Sequence, residues 1–203
     1  GDLEKKIIMA RKAKIVRGTT ETDIRLEIDL DKTTGSSIET TIPFFNHMLE
    51  LFARHAFLKL VVRAQGDTHI DDHHLIEDLG ICLGQAVAKA LGDKTGINRY
   101  GSAYVPMDES LCRVDMDISG RPYLIYNVKY GRRKVGGFDP VLVKEFFKAF
   151  TDNSGITLHI NFLYGENGHH IIESIFKAFA RAFRNAVSLN EGVRGVLSTK
   201  GRL

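Results

Sequence analysis

The chain repeats itself. Residues 21–30, ETDIRLEIDL, return as residues 109–118, ESLCRVDMDI: glutamate opens both, arginine follows four places later, and apolar and charged residues then alternate in step. Alternation with a period of two predicts an amphipathic strand that buries one face. The correspondence continues. Residues 43–62, PFFNHMLELFARHAFLKLVV, lie against residues 140–160, PVLVKEFFKAFTDNSGITLHI, and each reads as a proline-led helix giving way to an alternating strand. Residues 71–91, DDHHLIEDLGICLGQAVAKAL, match residues 167–187, NGHHIIESIFKAFARAFRNAV. Both predict a long amphipathic helix with Asp or Asn/Gly at its start, the first ending at Gly92 and the second between Asn190 and Gly192.

Each half thus reads as strands, helix, strand, helix. The expectation is an α+β fold of two pseudo-symmetric ββαβα-like halves, residues 10–95 and 96–190, with sheets packed against helices around one core. Residues 1–9 are polar and mixed and read as an extension outside the fold. Residues 191–203, EGVRGVLSTKGRL, are glycine-rich and basic, and predict a mobile tail.

Composition narrows the function classes. A chain of 203 residues, 43% hydrophobic and 26% charged, is long enough for a sizeable core. No apolar run approaches the roughly 18 residues of a membrane helix, and no signal peptide is legible, so a cytoplasmic protein without a membrane partner is expected. The formal net charge of +3 favours small anions over nucleic acid, which needs a clustered basic stripe. The only two cysteines, Cys82 and Cys112, sit in apolar patterns and predict buried thiols rather than a disulfide framework.

The repeated helix carries the chemistry. His73 and Glu77 are four apart and share a helix face, while His74 is rotated about 100° from His73; His169, Glu173 and His170 repeat the arrangement. A His-x-x-x-Glu pair can offer one ion an imidazole nitrogen and a carboxylate oxygen, and the adjacent histidine must aim elsewhere. A single such cluster more often caps a helix or sits solvated. Two copies at equivalent positions of a repeat favour metal ligation. Aligning strand with strand also puts His47, fifteen residues before Val62, opposite Glu145, fifteen before Ile160. These two are the candidates for completing a pair of pseudo-equivalent sites, with manganese, iron, nickel or zinc as the fitting metals.

The pair His47 and His55, DDHHLIED at residues 71–78, GHHIIESIFKAFARA at residues 168–182 and STKG at residues 198–201 together resemble the imidazoleglycerol-phosphate dehydratase family of histidine biosynthesis. The resemblance spans the chain from about Lys12 onward. It implies a ribosomal protein S5 domain 2-like fold in each half, assembly into a homo-24-mer, and two manganese ions per active site at subunit interfaces. It further implies that His47, His73, His74, Glu77, Glu145, His169, His170 and Glu173 ligate metal, although many family members carry histidine at the position of Glu145. The implied reaction is dehydration of D-erythro-imidazole-glycerol phosphate to imidazole-acetol phosphate, through a metal-bound imidazolate and a diazafulvene-like intermediate. In it Glu21 is the base, and His73 and His74 complete the catalytic set. His55, Arg99, Arg121, Lys177, Ser198, Thr199 and Lys200 match the family's phosphate-binding positions, with Gln85 nearby, and the tail is expected to close over substrate as a lid.

Two other readings compete. A two-metal phosphoesterase would lean more on aspartate than these histidine-rich clusters do. A metal-storing cage would need neither a base nor a phosphate pocket.

Overall fold

The computed structural model describes residues 10–130 and 134–203, so the reading of residues 1–9 as an extension falls outside the described residues. The first half runs β1 (Lys12–Gly18), β2 (Thr22–Asp29), β3 (Ser37–Glu39), α1 (Pro43–His55), β4 (Lys59–Gly66) and α2 (His73–Leu91). The second runs β5 (Tyr100–Met107), β6 (Ser110–Asp117), β7 (Tyr123–Asn127), α3 (Val141–Ser154), β8 (Thr157–Tyr164) and α4 (Gly168–Val187). The two sheets have the same strand order, β1-β2-β4-β3 and β5-β6-β8-β7. The α+β duplication is as the sequence predicts, with one addition per half. A short strand, β3 or β7, pairs in parallel with the strand that follows the next helix.

Period-two patterning sets the sheet faces. Ile24, Leu26 and Ile28 of β2, and Cys112, Val114 and Met116 of β6, point inward and are buried, while the alternate charged residues face out. The helices lie between the sheets: α2 packs on β1 and β2, and α4 on β5 and β6. Helix pairing crosses the halves, α1 against α4 and α2 against α3. Phe179 of α4 joins them, stacking on Phe52 of α1 at 5.0 Å and meeting Phe147 and Phe150 of α3 edge-on at 5.0 and 5.2 Å. One phenylalanine core thereby fuses both halves.

Close approach sets the α2–α3 contact. A Cβ added at Gly80 would lie 2.5 Å from the carbonyl oxygen of Phe146, and one at Gly84 would lie 2.6 Å from that of Phe150, so only glycine lets the helices meet. The helix starts differ from expectation in one respect. Asn167 caps α4 by accepting from the His169 amide, but at α2 the His73 amide donates to Asp71, one residue before the N-cap Asp72. Helix α4 ends at Val187, before residues 190–192. Cys82 and Cys112 are buried free thiols, and burial pushes the Cys82 thiol up to about 11. Among the described residues, no helix is long and apolar enough to cross a membrane.

Candidate active site

The two long helices begin next to the β1–β2 and β5–β6 hairpins, and this brings the paired histidines to Glu21 in one half and to Glu109 in the other. In each His-His pair the rings are 6.2 Å apart and inclined at 85°: His73 with His74, and His169 with His170. Adjacent histidines therefore aim in different directions, identically in both halves.

The lower-numbered histidine of the second pair enters a three-residue cluster. Glu173 Oε1 lies 2.9 Å from His47 Nε2 and 3.0 Å from His169 Nε2. Ligand atoms of these three residues all fall within 4.8 Å of one another, the one such group among the described residues. Two imidazole nitrogens and a carboxylate oxygen suit a divalent transition metal, so the residues fit the ion that the sequence implies. Burial pushes the Glu173 carboxyl up, but bonds from Lys177, His47 and His169 outweigh it and hold it down at about 2. The carboxylate is thus ionised and competent to ligate. Phe44 closes one flank, its ring edge-on to His169 at 5.4 Å.

The first-half counterpart is more open. His73 Nε2 and Glu77 Oε2 stand 3.5 Å apart, both about half exposed. The Glu145 side chain makes no hydrogen bond or ion pair among the described residues, but the helix register shows where it stands. Gly80 abuts Ala149, and Gln85 bonds Asn153, so α2 and α3 run in the same direction; Glu145, one turn before Ala149, is level with Ile76 and Glu77. His47 and Glu145 thus occupy repeat-equivalent helices, each facing the long helix of the opposite half.

The higher-numbered histidines meet carboxylates through Nδ1. His74 Nδ1 bonds Asp67 at 3.0 Å, with Glu21 3.8 Å away; the Asp67 bond, reinforced by Glu21, raises the His74 pKa above its ordinary value. His170 Nδ1 bonds Glu109 at 2.7 Å. The repeat partners Glu21 and Glu109 differ in kind. Glu109 Oε1 also accepts from the backbone amides of Asn167 and Glu166, and these bonds, with that from His170, hold its carboxyl well below the usual range. The side chain of Glu21 accepts none of these bonds and is half exposed. Asp67 was missed by the sequence reading, although it lies just ahead of the first histidine pair.

The predicted phosphate residues fall into two groups. Arg99, Arg121 and the tail come together beyond the C-terminal end of α4. The Arg99 amide donates to Ala186, its guanidinium bonds Asp117 and the Leu197 carbonyl, and Lys94 Nζ reaches the Leu203 carbonyl at 3.3 Å. The tail is threaded along its own chain by these bonds. Lys177 and His55 lie elsewhere, between α1 and α4. Lys177 Nζ bonds Glu173 Oε2 at 2.6 Å and Met107 Sδ at 3.1 Å; burial and the cations Lys177, Arg181 and Arg54 lower the His55 pKa. Gln85 bonds Asn153 and touches neither group.

Fold and site define a duplicated α+β protein with one histidine–histidine–carboxylate device at the head of each long helix. A family profile described as imidazoleglycerol-phosphate dehydratase matches residues 40–183. Imidazoleglycerol-phosphate dehydratases of Syntrophus aciditrophicus and Geobacter sulfurreducens are 59% and 54% identical to the chain, over 97% and 96% of it and the whole of each relative. Solved structures of the same description agree. That from Staphylococcus aureus aligns with TM-score 0.81 and 45% identity over 88% of this chain and 99% of its own; that from Pyrococcus furiosus, in complex with (S)-C348, aligns with 0.82 and 38% over 93% and 100%. The chain belongs to the imidazoleglycerol-phosphate dehydratase family, and it is a dehydratase, an enzyme of the hydro-lyase class.

Proposed function

We propose that the chain dehydrates D-erythro-imidazole-glycerol phosphate to imidazole-acetol phosphate in histidine biosynthesis, at cytoplasmic active sites that each hold two manganese ions. The observation that carries this reading is the repeated ring geometry of the two His-His pairs, which directs neighbouring imidazoles to different ligands in both halves. His47, His169 and Glu173 are the proposed holders of one ion, with His73, Glu77, Glu145, His74 and His170 completing the ligand shells of the pair. When bound, the metal supplies electrostatic stabilisation and orientation of the substrate's imidazole ring.

The chain's own residues supply the rest. The hydroxyl to be lost is on the carbon beside the ring and the proton is on the next carbon out, with no carbonyl to acidify it, so a base must be held ready. Glu21, with its carboxylate unspent and next to His74, fits that task. Electrons of the deprotonated ring expel hydroxide from the adjoining carbon to give a diazafulvene-like intermediate, and transfer of the next carbon's proton to Glu21 returns the pair to the ring and leaves an enol that tautomerises to the ketone.

Dimensions support a site shared between copies. Glu173 and Ala186, whose carbonyl anchors Arg99, are thirteen residues apart on α4, about 20 Å along the axis at the usual helical rise. The substrate's ring and phosphate are separated by only three carbons. One chain's Arg99, Arg121 and tail therefore cannot reach a ring held by that chain's own His47, His169 and Glu173. Lys177 and His55, within about two turns of Glu173, fit the phosphate end of a substrate on the same chain. Arg99, Arg121, Ser198, Thr199 and Lys200 are proposed to come from a neighbour in a homo-24-mer.

The test is an assay of the purified protein with imidazoleglycerol phosphate and with a generic phosphoester. Imidazole-acetol phosphate formed from the first alone supports the reading. Release of inorganic phosphate from either would overturn it in favour of a phosphoesterase.

A further inference from the structure

We propose that Asp117 is a positioning residue that aims the two guanidinium groups of Arg99 and Arg121 at the substrate's phosphate. The inference rests on the phosphate role given to those arginines above, and deepens it by naming what holds them in place.

Asp117 sits at the end of β6 with its side chain mostly buried. Its Oδ1 accepts from Arg99 Nε at 2.6 Å and its Oδ2 from Arg99 Nη2 at 3.1 Å, a two-point grip on one edge of the guanidinium. The same Oδ2 lies 3.7 Å from Arg121 Nη2. One carboxylate thus stands between two cations that would otherwise repel. Of the five N–H donors on Arg99, two are held by Asp117 and one by the Leu197 carbonyl at 2.8 Å, which leaves two. The gripped edge is the Nε–Nη2 side, so the free donors belong to the terminal nitrogens and can still address an anion in plane.

The backbone shows the same commitment. Arg99 has φ +71°, an uncommon conformation for a residue with a Cβ, held by its amide on Ala186 and its carbonyl under the Ile118 amide. Its ring neighbour Tyr100 lies beneath the guanidinium, 4.8 Å from centroid to Cζ. Arg121 follows Gly120, at φ +74°, and its own side chain is 67% exposed, so Asp117 and the Ser119 carbonyl are its only restraints among the described residues. The tail is tied to this corner at two points, Leu197 to Arg99 and Leu203 to Lys94 beside Gly120, with Ser198, Thr199 and Lys200 in the stretch between them. Without Asp117, each arginine would have to be ordered when the phosphate binds, and the cost would fall on binding rather than on chemistry.

The experiment measures kcat and KM for imidazoleglycerol phosphate, and inhibition by inorganic phosphate, in the assembled manganese-loaded enzyme. Asp117→Asn should raise KM and the phosphate inhibition constant together, by about tenfold, with kcat little changed. Asp117→Glu, which restores a carboxylate, should recover part of both. Arg99→Lys gives an independent reading should Asp117→Asn fail to assemble: an ammonium keeps the charge but cannot accept a side-on grip and face an anion at once, so KM should rise likewise. Unchanged KM and phosphate inhibition in Asp117→Asn or Arg99→Lys, while Arg121→Ala raises both, would overturn the positioning role and leave the phosphate assignment standing. Unchanged values in Arg121→Ala would overturn the phosphate assignment itself.

Discussion

Glu109 Oε2 lies 2.7 Å from His170 Nδ1, whereas Glu21 Oε2, its counterpart in the other half, stands 3.8 Å from His74 Nδ1. The difference assigns different work to two residues that the repeat makes equivalent. Glu109 is consumed in ordering the start of α4 and one imidazole; Glu21 accepts none of those bonds, which fits the base proposed for it. Glu21→Gln should lower kcat by roughly 10²- to 10⁴-fold with assembly intact. Glu109→Gln should instead weaken metal binding about 10- to 100-fold, so its activity should return as manganese is raised. A metal titration of both variants separates the two roles, and recovery of Glu21→Gln at high metal would contradict them.

The close contacts between layers predict where the fold is least tolerant. A Cβ at Gly101 would fall 1.9 Å from the carbonyl oxygen of Ala182, pushing β5 off α4; at Gly80 the nearest oxygen is 2.5 Å away. Alanine gains up to about 1 kcal/mol of helix propensity over glycine at position 80, against about 1–3 kcal/mol lost to overpacking, and position 101 is in a strand with no such offset. Gly101→Ala should therefore lower the thermal midpoint more than Gly80→Ala, by several degrees. Differential scanning calorimetry of both checks the order.

If one site draws on more than one chain, two inactive variants can complement. His169→Ala removes a proposed ligand and Arg99→Ala a proposed phosphate contact, so each alone should be nearly inactive. Co-expressed and co-assembled, they should regain measurable turnover, because some interfaces then pair an intact ligand set with an intact arginine. Absence of any recovery in mixed assemblies of verified composition would place the whole site within one chain.

The tail predicts a separable effect. Truncation after Leu197 keeps the carbonyl that bonds Arg99 but removes Ser198, Thr199 and Lys200. KM should rise or turnover should fail while the oligomer stays the same size by light scattering. Unchanged kinetics would remove the tail from the site.

Much of this was legible in the sequence because the repeat supplied an internal comparison. Strand faces followed from alternation, α1 from Pro43 and helical spacing, and the His-x-x-x-Glu faces from the 3.6-residue period. The short strands β3 and β7 were not legible: three and five residues pairing in parallel with strands distant in sequence leave no pattern of their own. Nor was the crossing of helices between halves, which puts His47 against Glu173, since pairing across a core depends on contacts such as Phe52 with Phe179 and not on local spacing. Asp67 and Asp117 escaped for a related reason. An aspartate that orients a histidine or an arginine looks in sequence like any charged residue beside a strand.

The paired clusters are proposed to work through bound metal. The most direct measurement strips the enzyme anaerobically with chelator, counts the residual metal, and follows dehydration of imidazoleglycerol phosphate as manganese is returned. Turnover should vanish with the metal and return in proportion to ions bound, saturating near two per active site. Full activity in metal-free protein would show that the clusters work without metal.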